Sequence, residues 1–147
     1  MIPTSADRVA RHTSERGDKI IRREAQVNVA YYAARPEEID RRLRELDEEW
    51  DVERMLQLNS SALSLVGLAL GVTRSRKWLL IPLAVQGFFL QHGVEGWCPP
   101  LPIFRRLGIR MAAEIEAERQ ALKAVRGDYA NVKAEGDGSA VVKAVQR

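Results

Sequence analysis

The chain has few of the residues on which most catalytic sites depend. Its 147 residues include one cysteine, two histidines and three each of Trp, Tyr and Phe. A single cysteine excludes an intrachain disulfide and a Cys-x-x-Cys redox pair. Cys98, His12 and His92 do not have the spacing of a metal site. We therefore expect no metal, no cofactor and no enzymatic activity.

Two further signals are missing from the sequence. The 23 Lys and Arg residues and 20 Asp and Glu residues give a net charge of +3, but the basic residues form no long run and do not alternate with aromatics. Nucleic acid is therefore not an expected partner. The first ~30 residues lack an apolar segment before a small-residue cleavage site, so the sequence predicts no cleavable signal peptide.

Charge is also absent from two windows in the middle of the chain. Leu56–Val72 and Trp78–Val94 contain no Asp, Glu, Lys or Arg, and the connector Thr73–Lys77 between them has three positive charges. A spanning helix needs about 17–25 apolar residues, so both windows lie at the short end of that range. They predict an all-α protein with a transmembrane helical hairpin in a lipid bilayer. The alternative is a soluble hairpin buried in a helical bundle.

Small and polar residues recur within these windows at helical spacing. In the first window, Gly67 and Gly71 form a GxxxG pattern preceded by Ser60 and Ser64, and such residues let helices approach closely in lipid. Gln86, in the second window, needs a hydrogen-bond partner, for which Ser64 or a second Gln86 is a candidate. We interpret all five as helix-packing residues, against the other window or against a second copy.

Charged amphipathic helices are predicted on both sides of the hairpin. Pro36, followed by two glutamates, indicates a helix start, and no stop signal separates that helix from the first window, which predicts one rod from about Pro36 to Val72. Its apolar stripe is Ile39, Leu43, Leu46 and Trp50. A last helix is predicted from Arg105 to Gly127, with the stripe Leu107, Met111, Ile115, Leu122 and Val125.

The segment after the second window is rich in glycine and proline. Gly96, Trp97, Cys98 and Pro99 predict a turn at the membrane boundary. The chain then divides as follows: a disordered N-terminus (1–17), charged amphipathic helices (18–55), the hairpin (56–94), the Cys-Pro turn with the C-terminal helix (95–127) and a flexible tail (128–147).

The basic residues near the windows predict an orientation. Seven arginines flank the hairpin on the side of the chain termini, against three positive charges in the connector, and the positive-inside rule therefore favours cytoplasmic termini. The flanking arginines are Arg41, Arg42, Arg44, Arg54, Arg105, Arg106 and Arg110.

Residues 50–110 resemble a family of small bacterial inner-membrane proteins of unknown function. The same two-helix module is appended to some membrane-bound rhodaneses. The features that carry the resemblance are Glu53-Arg54, Gly67 with Gly71, the basic connector Arg74–Lys77, Gly96-Trp97-Cys98-Pro99 and Leu107-Gly108. The chain departs from the family in its Pro-Pro-Leu-Pro after the cysteine and in its charged flanking helices. The resemblance implies a membrane hairpin with cytoplasmic termini, homodimerisation, and a soluble sulfurtransferase as one possible partner.

Three hypotheses for function remain open. In the first, the hairpin anchors charged cytoplasmic helices that self-associate or dock a soluble partner, and Cys98 is structural. In the second, Cys98 is a sulfur-relay or redox-sensing thiol, for which Arg105 and Arg106 would favour the thiolate and Glu95 would oppose it. In the third, the chain is a soluble helical assembly protein.

Overall fold

The computed structural model describes residues 15–130. Within that range the chain is all-α, as predicted, with six α-helices, two short 3-10 helices and no strand. The α-helices are α1 (Glu15–Ala33), α2 (Ile39–Glu48), α3 (Val52–Thr73), α4 (Leu80–Glu95), α5 (Leu101–Arg106) and α6 (Ala112–Arg126). The 3-10 helices are Pro36–Glu38 and Arg76–Leu79. Most of the predicted disordered N-terminus and of the predicted tail lies outside the described residues.

The chain divides into two compact units. Unit 1 contains the described residues up to Arg22 together with Trp50–Ala113. It therefore holds the start of α1 and all of α3, α4 and α5. Unit 2 contains Arg23–Glu49 and the described residues from Glu114 onwards, and holds the rest of α1 with α2 and most of α6.

Unit 2 has a small apolar core with a charged pair inside it. Residues of α2 and α6 form the core, and Val29 and Tyr32 of α1 pack against it. The core residues are Ile39, Leu43, Leu46, Ile115 and Leu122. Arg42 Nε donates to Glu118 Oε1 at 2.9 Å, and the Glu118 side chain is fully buried. This pair lies beside apolar residues because each charge has a partner.

The predicted rod from Pro36 to Val72 is wrong, because the helix breaks at residues 49–51. Glu49 has extended backbone geometry, and Asp51 caps α3 by accepting a hydrogen bond from the N–H of Arg54 at 2.7 Å. Trp50 lies in this break, so its predicted place in the apolar stripe of the helix is wrong. Its ring is exposed and lies 4.1 Å from the guanidinium carbon of Arg54.

In unit 1, α3 and α4 run antiparallel along each other. The turn between them contains Ser75, whose side chain accepts from the N–H of Lys77, and the 3-10 helix Arg76–Leu79 leads directly into α4. At the other end of α4, Gly96 adopts a left-handed conformation with φ of 79° and donates its N–H to His92 O at 2.8 Å. That conformation suits glycine and ends the helix.

A core at the open end of the helix pair joins α3 to the Cys-Pro turn and α5. It consists of Val52, Leu56, Cys98 and Leu101, with aromatic and aliphatic side chains packed around them. The Val52 N–H donates to Arg110 O at 2.9 Å. These contacts hold the segment after α4 against the beginning of α3.

The predicted helix from Arg105 to Gly127 is also interrupted. α5 ends at Arg106, Gly108 has φ of 82°, and α6 begins only at Ala112. The predicted apolar stripe is only partly buried. Ile115 and Leu122 are buried, but Leu107 and Val125 are exposed, so their assignment to a buried stripe is wrong.

Candidate functional site

Two glycines of α3 pack tightly against the end of the 3-10 helix and the start of α4. A Cβ atom at Gly67 would lie 2.5 Å from Cδ of Pro82, and a Cβ atom at Gly71 would overlap the side chain of Leu79. A side chain at Gly67 would have to displace the Pro82 ring, whereas one at Gly71 would require the Leu79 side chain to move. The sequence indicated the glycines but not the residues, Pro82 and Leu79, that they pack against.

A polar contact lies further along the same interface. Gln86 Nε2 donates to Ser64 Oγ at 3.0 Å, and Ser64 is buried. Ser60 lies one turn before Ser64 and lines a cavity that also contacts α4. The structure therefore places Ser64, Gly67, Gly71 and Gln86 at the α3–α4 contact, and Ser60 beside it.

Large apolar side chains occupy the surfaces that α3 and α4 turn away from each other. Leu65, Leu83 and Leu90 are 67%, 70% and 71% exposed. Other exposed members of this outward surface are Leu58, Val66, Leu68, Val72, Leu80 and Val94, and Leu63 and Phe88 are exposed as well. The contact between the helices thus contains glycines and a Ser–Gln hydrogen bond, whereas the outward surface carries large apolar side chains.

One helix of the described chain is long and apolar enough to cross a membrane. The apolar window lies in α3, within the stretch Pro36–Thr73, and only 17% of it is buried. This criterion concerns length and composition alone. The helix α4 has 16 residues and is shorter than the criterion requires.

A buried histidine lies where α4 ends, opposite the start of α3. His92 Nε2 is 3.2 Å from Glu53 Oε2, and the imidazole stacks on Phe89 with ring centroids 6.3 Å apart. Among residues 15–130, His92 Nδ1 is buried and finds no hydrogen-bond partner. The sequence did not predict the contact with Glu53, because 39 positions separate the two residues and no local pattern pairs them.

Arg105 is a second buried ionisable residue in this part of unit 1. Its Nη1 donates to Ile109 O at 3.1 Å, and its Nη2 is 3.9 Å from Asp18 Oδ1. The side chain therefore ties α5 to the following turn and to the start of α1. It serves the fold here, whereas the sequence suggested a role in activating Cys98.

The turn after α4 buries its cysteine. Gly96 forms the left-handed cap, Trp97 is half-buried, Cys98 is 3% exposed and Pro99 is exposed. Burial raises the pKa of the Cys98 thiol, the backbone N–H of Leu101 opposes that shift, and the negative charge of Glu53 adds to it. The thiol is therefore held in its protonated, less nucleophilic form. Within residues 15–130 no three His, Cys, Asp or Glu residues are grouped to hold a metal ion.

A cavity of about 370 Å³ lies between α3, α4 and the segment that follows the turn. Its lining residues are apolar apart from Asn59, Ser60 and Cys98. The remaining lining residues are Leu56, Leu63, Val85, Phe88, Phe89, Pro99, Pro100 and Ile103. Three of them, Leu63, Phe88 and Ile103, are also exposed at the surface of unit 1.

Comparison with models of known protein families, with curated proteins and with solved structures found no match to this chain.

Proposed function

We propose that the chain is a small membrane protein in which α3 and α4 cross the bilayer as a helical hairpin and anchor charged helices at the membrane surface. The observation that supports this proposal best is the distribution of side chains in the pair. Glycines and a Ser–Gln hydrogen bond lie between the helices, and leucines, valines and a phenylalanine face outwards. Close packing of small residues and interhelical hydrogen bonds drive helix association in lipid, where apolar side chains are equally well solvated outside.

The same distribution is unfavourable for a soluble bundle. Each exposed leucine gives up the ~1.5–3 kcal/mol that burial of such a side chain contributes in water. Contiguous exposed apolar surfaces mark a membrane-facing or protein-binding surface. A soluble form of this chain would need other copies to cover both outward faces of the pair.

Helix length is compatible with spanning. The 22 residues of α3 extend roughly 33 Å, against ~30 Å for the hydrocarbon core. The 16 residues of α4 extend roughly 24 Å. The preceding 3-10 helix contains Trp78, which suits the headgroup region, and Arg76 and Lys77, whose long side chains reach water from a shallow position. Local thinning of the bilayer accommodates the remaining difference between the length of α4 and the thickness of the hydrocarbon core.

The proposal extends to location and role. The arginines on the terminal side of the hairpin favour cytoplasmic termini, and the resemblance in residues 50–110 favours a bacterial inner membrane. Unit 2, with its charged surface and buried Arg42–Glu118 pair, is then the part that self-associates, as a homodimer, or docks a soluble partner. The protein acts as an anchor or scaffold and not as an enzyme.

The thiol-relay hypothesis has less support from the geometry. A relay cysteine needs an accessible thiolate, whereas Cys98 is buried and its pKa is raised. Packing in the core with Val52, Leu56 and Leu101 accounts for its position.

Membrane fractionation tests the proposal. The full chain is expressed, and the membranes are pelleted and washed with alkaline carbonate. We expect the protein to stay in the pellet and to be released by detergent. Release by carbonate would instead indicate a peripheral or soluble helical protein, and the apolar outward surface would then have to be an interface between copies.

A further inference from the structure

We propose that the cavity beside Cys98 binds one acyl chain of a membrane lipid. This inference rests on the proposed function, because it takes the outward surface of α3 and α4 to be in contact with lipid. The cavity lies between Leu63 of α3, Phe88 of α4 and Ile103 of α5.

The chemistry of the wall selects a hydrocarbon chain. Aliphatic and aromatic side chains supply nearly all of the lining, and the only amide and hydroxyl side chains are those of Asn59 and Ser60. Both lie about one turn from Leu56, near the end of α3 that packs against the Cys98 turn. They fit the ester group of a lipid, with the chain running from there along Leu63 and Phe88.

The size and position of the cavity agree with this occupant. Its volume of about 370 Å³ lies at the low end of small-ligand sites (~300–1,000 Å³) and exceeds the ~150 Å³ that suffices for benzene. Leu63, Phe88 and Ile103 line the cavity and are also exposed, so the cavity opens on the surface that the proposed function exposes to acyl chains.

Photo-crosslinking from the acyl chain tests the inference. The full chain is reconstituted into vesicles of phosphatidylethanolamine and phosphatidylglycerol that contain a trace of phosphatidylcholine with a diazirine on one acyl chain. Crosslinked residues are mapped by mass spectrometry. We expect Leu63, Phe88 and Ile103 to be labelled several-fold more than Leu65, Leu83 and Leu90, which are exposed but do not line the cavity.

A matched pair of variants separates the cavity from the general lipid surface. Ser60→Phe places a ring in the cavity, whereas Ser61→Phe adds the same ring at an exposed neighbouring position outside it. We expect Ser60→Phe to reduce labelling at the cavity several-fold and to leave Leu83 and Leu90 unchanged. Ser61→Phe should leave both unchanged. Circular dichroism of both variants checks that the helices are intact.

Three other outcomes would contradict the inference, and they have different meanings. Equal labelling inside and outside the cavity, insensitive to Ser60→Phe, would remove the acyl-chain site and leave the membrane hairpin in place. Labelling outside with protection of the cavity in the wild-type protein would assign the cavity to a second copy of the chain. No labelling of α3 or α4 at all would contradict the proposed function itself.

Discussion

Gly67 and Gly71 have a physical role that their neighbours in α4 and in the preceding 3-10 helix define. At each position a methyl group would meet Pro82 or Leu79. At Gly87 and Gly93, also in helical backbone, no neighbouring element among the described residues comes within 4 Å of such a methyl group. The helix pair therefore contains glycines that are packed against a neighbouring segment and glycines that are not, and the sequence alone does not distinguish them.

This difference predicts unequal effects of the same substitution. Gly67→Ala should destabilise the α3–α4 pair by about 1–3 kcal/mol, because the new methyl group overpacks against Pro82. The matched control Gly87→Ala should be neutral or slightly stabilising, because its methyl group meets no neighbour and alanine favours the helix. Equilibrium unfolding in mixed micelles measures both. Equal effects of the two variants would show that the helices do not pack as described.

Cys98 gives a second prediction at the scale of one residue. Its pKa is raised above the usual value by burial, so at neutral pH it has a smaller thiolate fraction than an ordinary cysteine (pKa about 8.5). Alkylation by a polar reagent should be slow at neutral pH and should accelerate only in more alkaline solution.

The control for this measurement is Leu107→Cys in a Cys98→Ser background, because Leu107 is exposed. It should react at the rate of a free thiol. If Cys98 in the wild-type protein reacts as fast as this control at neutral pH, the structural assignment of Cys98 fails and the relay hypothesis gains support.

The packing face of a helix was easier to predict from the sequence than the residues that this face contacts. The helical spacing of Ser64, Gly67 and Gly71 indicated one face of α3, because helical periodicity is local. The contacts of Gly67 with Pro82, and of Glu53 with His92, depend on how two helices align over tens of residues. No local pattern encodes that alignment.

At the scale of elements, the sequence predicted the helices better than their ends. Asp51 is a preferred N-cap residue, but the uninterrupted helix-forming residues around it indicated one rod. Gly108 breaks the predicted C-terminal helix through its positive φ. A glycine inside a helical pattern is tolerated in some helices and ends others, so its effect depends on the tertiary contacts of α5.

The buried pair in unit 2 gives a prediction about how α2 and α6 associate. Glu118→Gln removes the charge that pairs with Arg42 across the two helices and keeps the side-chain shape. We expect a loss of about 1.5–3 kcal/mol, which is the range for hydrogen bonds to charged groups. Thermal unfolding followed by circular dichroism gives the measurement.

The matched control for this substitution lies on the same helix. Glu116 pairs with Arg119 at 2.7 Å, but its side chain is 46% exposed. Glu116→Gln should therefore change stability by no more than ~0.5 kcal/mol. If Glu118→Gln is as mild as Glu116→Gln, the α2–α6 pairing described here is not present in solution.

At the scale of the whole molecule, charge and apolar surface are segregated. Unit 1 presents the exposed leucines of α3 and α4, and unit 2 is built from short charged helices around a small core. Composition predicted this segregation, because the two charge-free windows are visible in the sequence. The orientation of those residues was not predictable, since a soluble bundle and a membrane hairpin share the same windows and differ in which side faces out.

The most direct test of the membrane hairpin asks what solvent surrounds its outward surface. Single cysteines are introduced at Leu65, Leu83 and, as a water-exposed control in unit 2, Glu45, in a Cys98→Ser background, and are spin-labelled after reconstitution into vesicles. Accessibility to oxygen, which concentrates in hydrocarbon, is compared with accessibility to a polar nickel chelate. The hairpin predicts high oxygen and low nickel accessibility at Leu65 and Leu83, and the reverse at Glu45. High nickel accessibility at Leu65 and Leu83 would contradict membrane insertion.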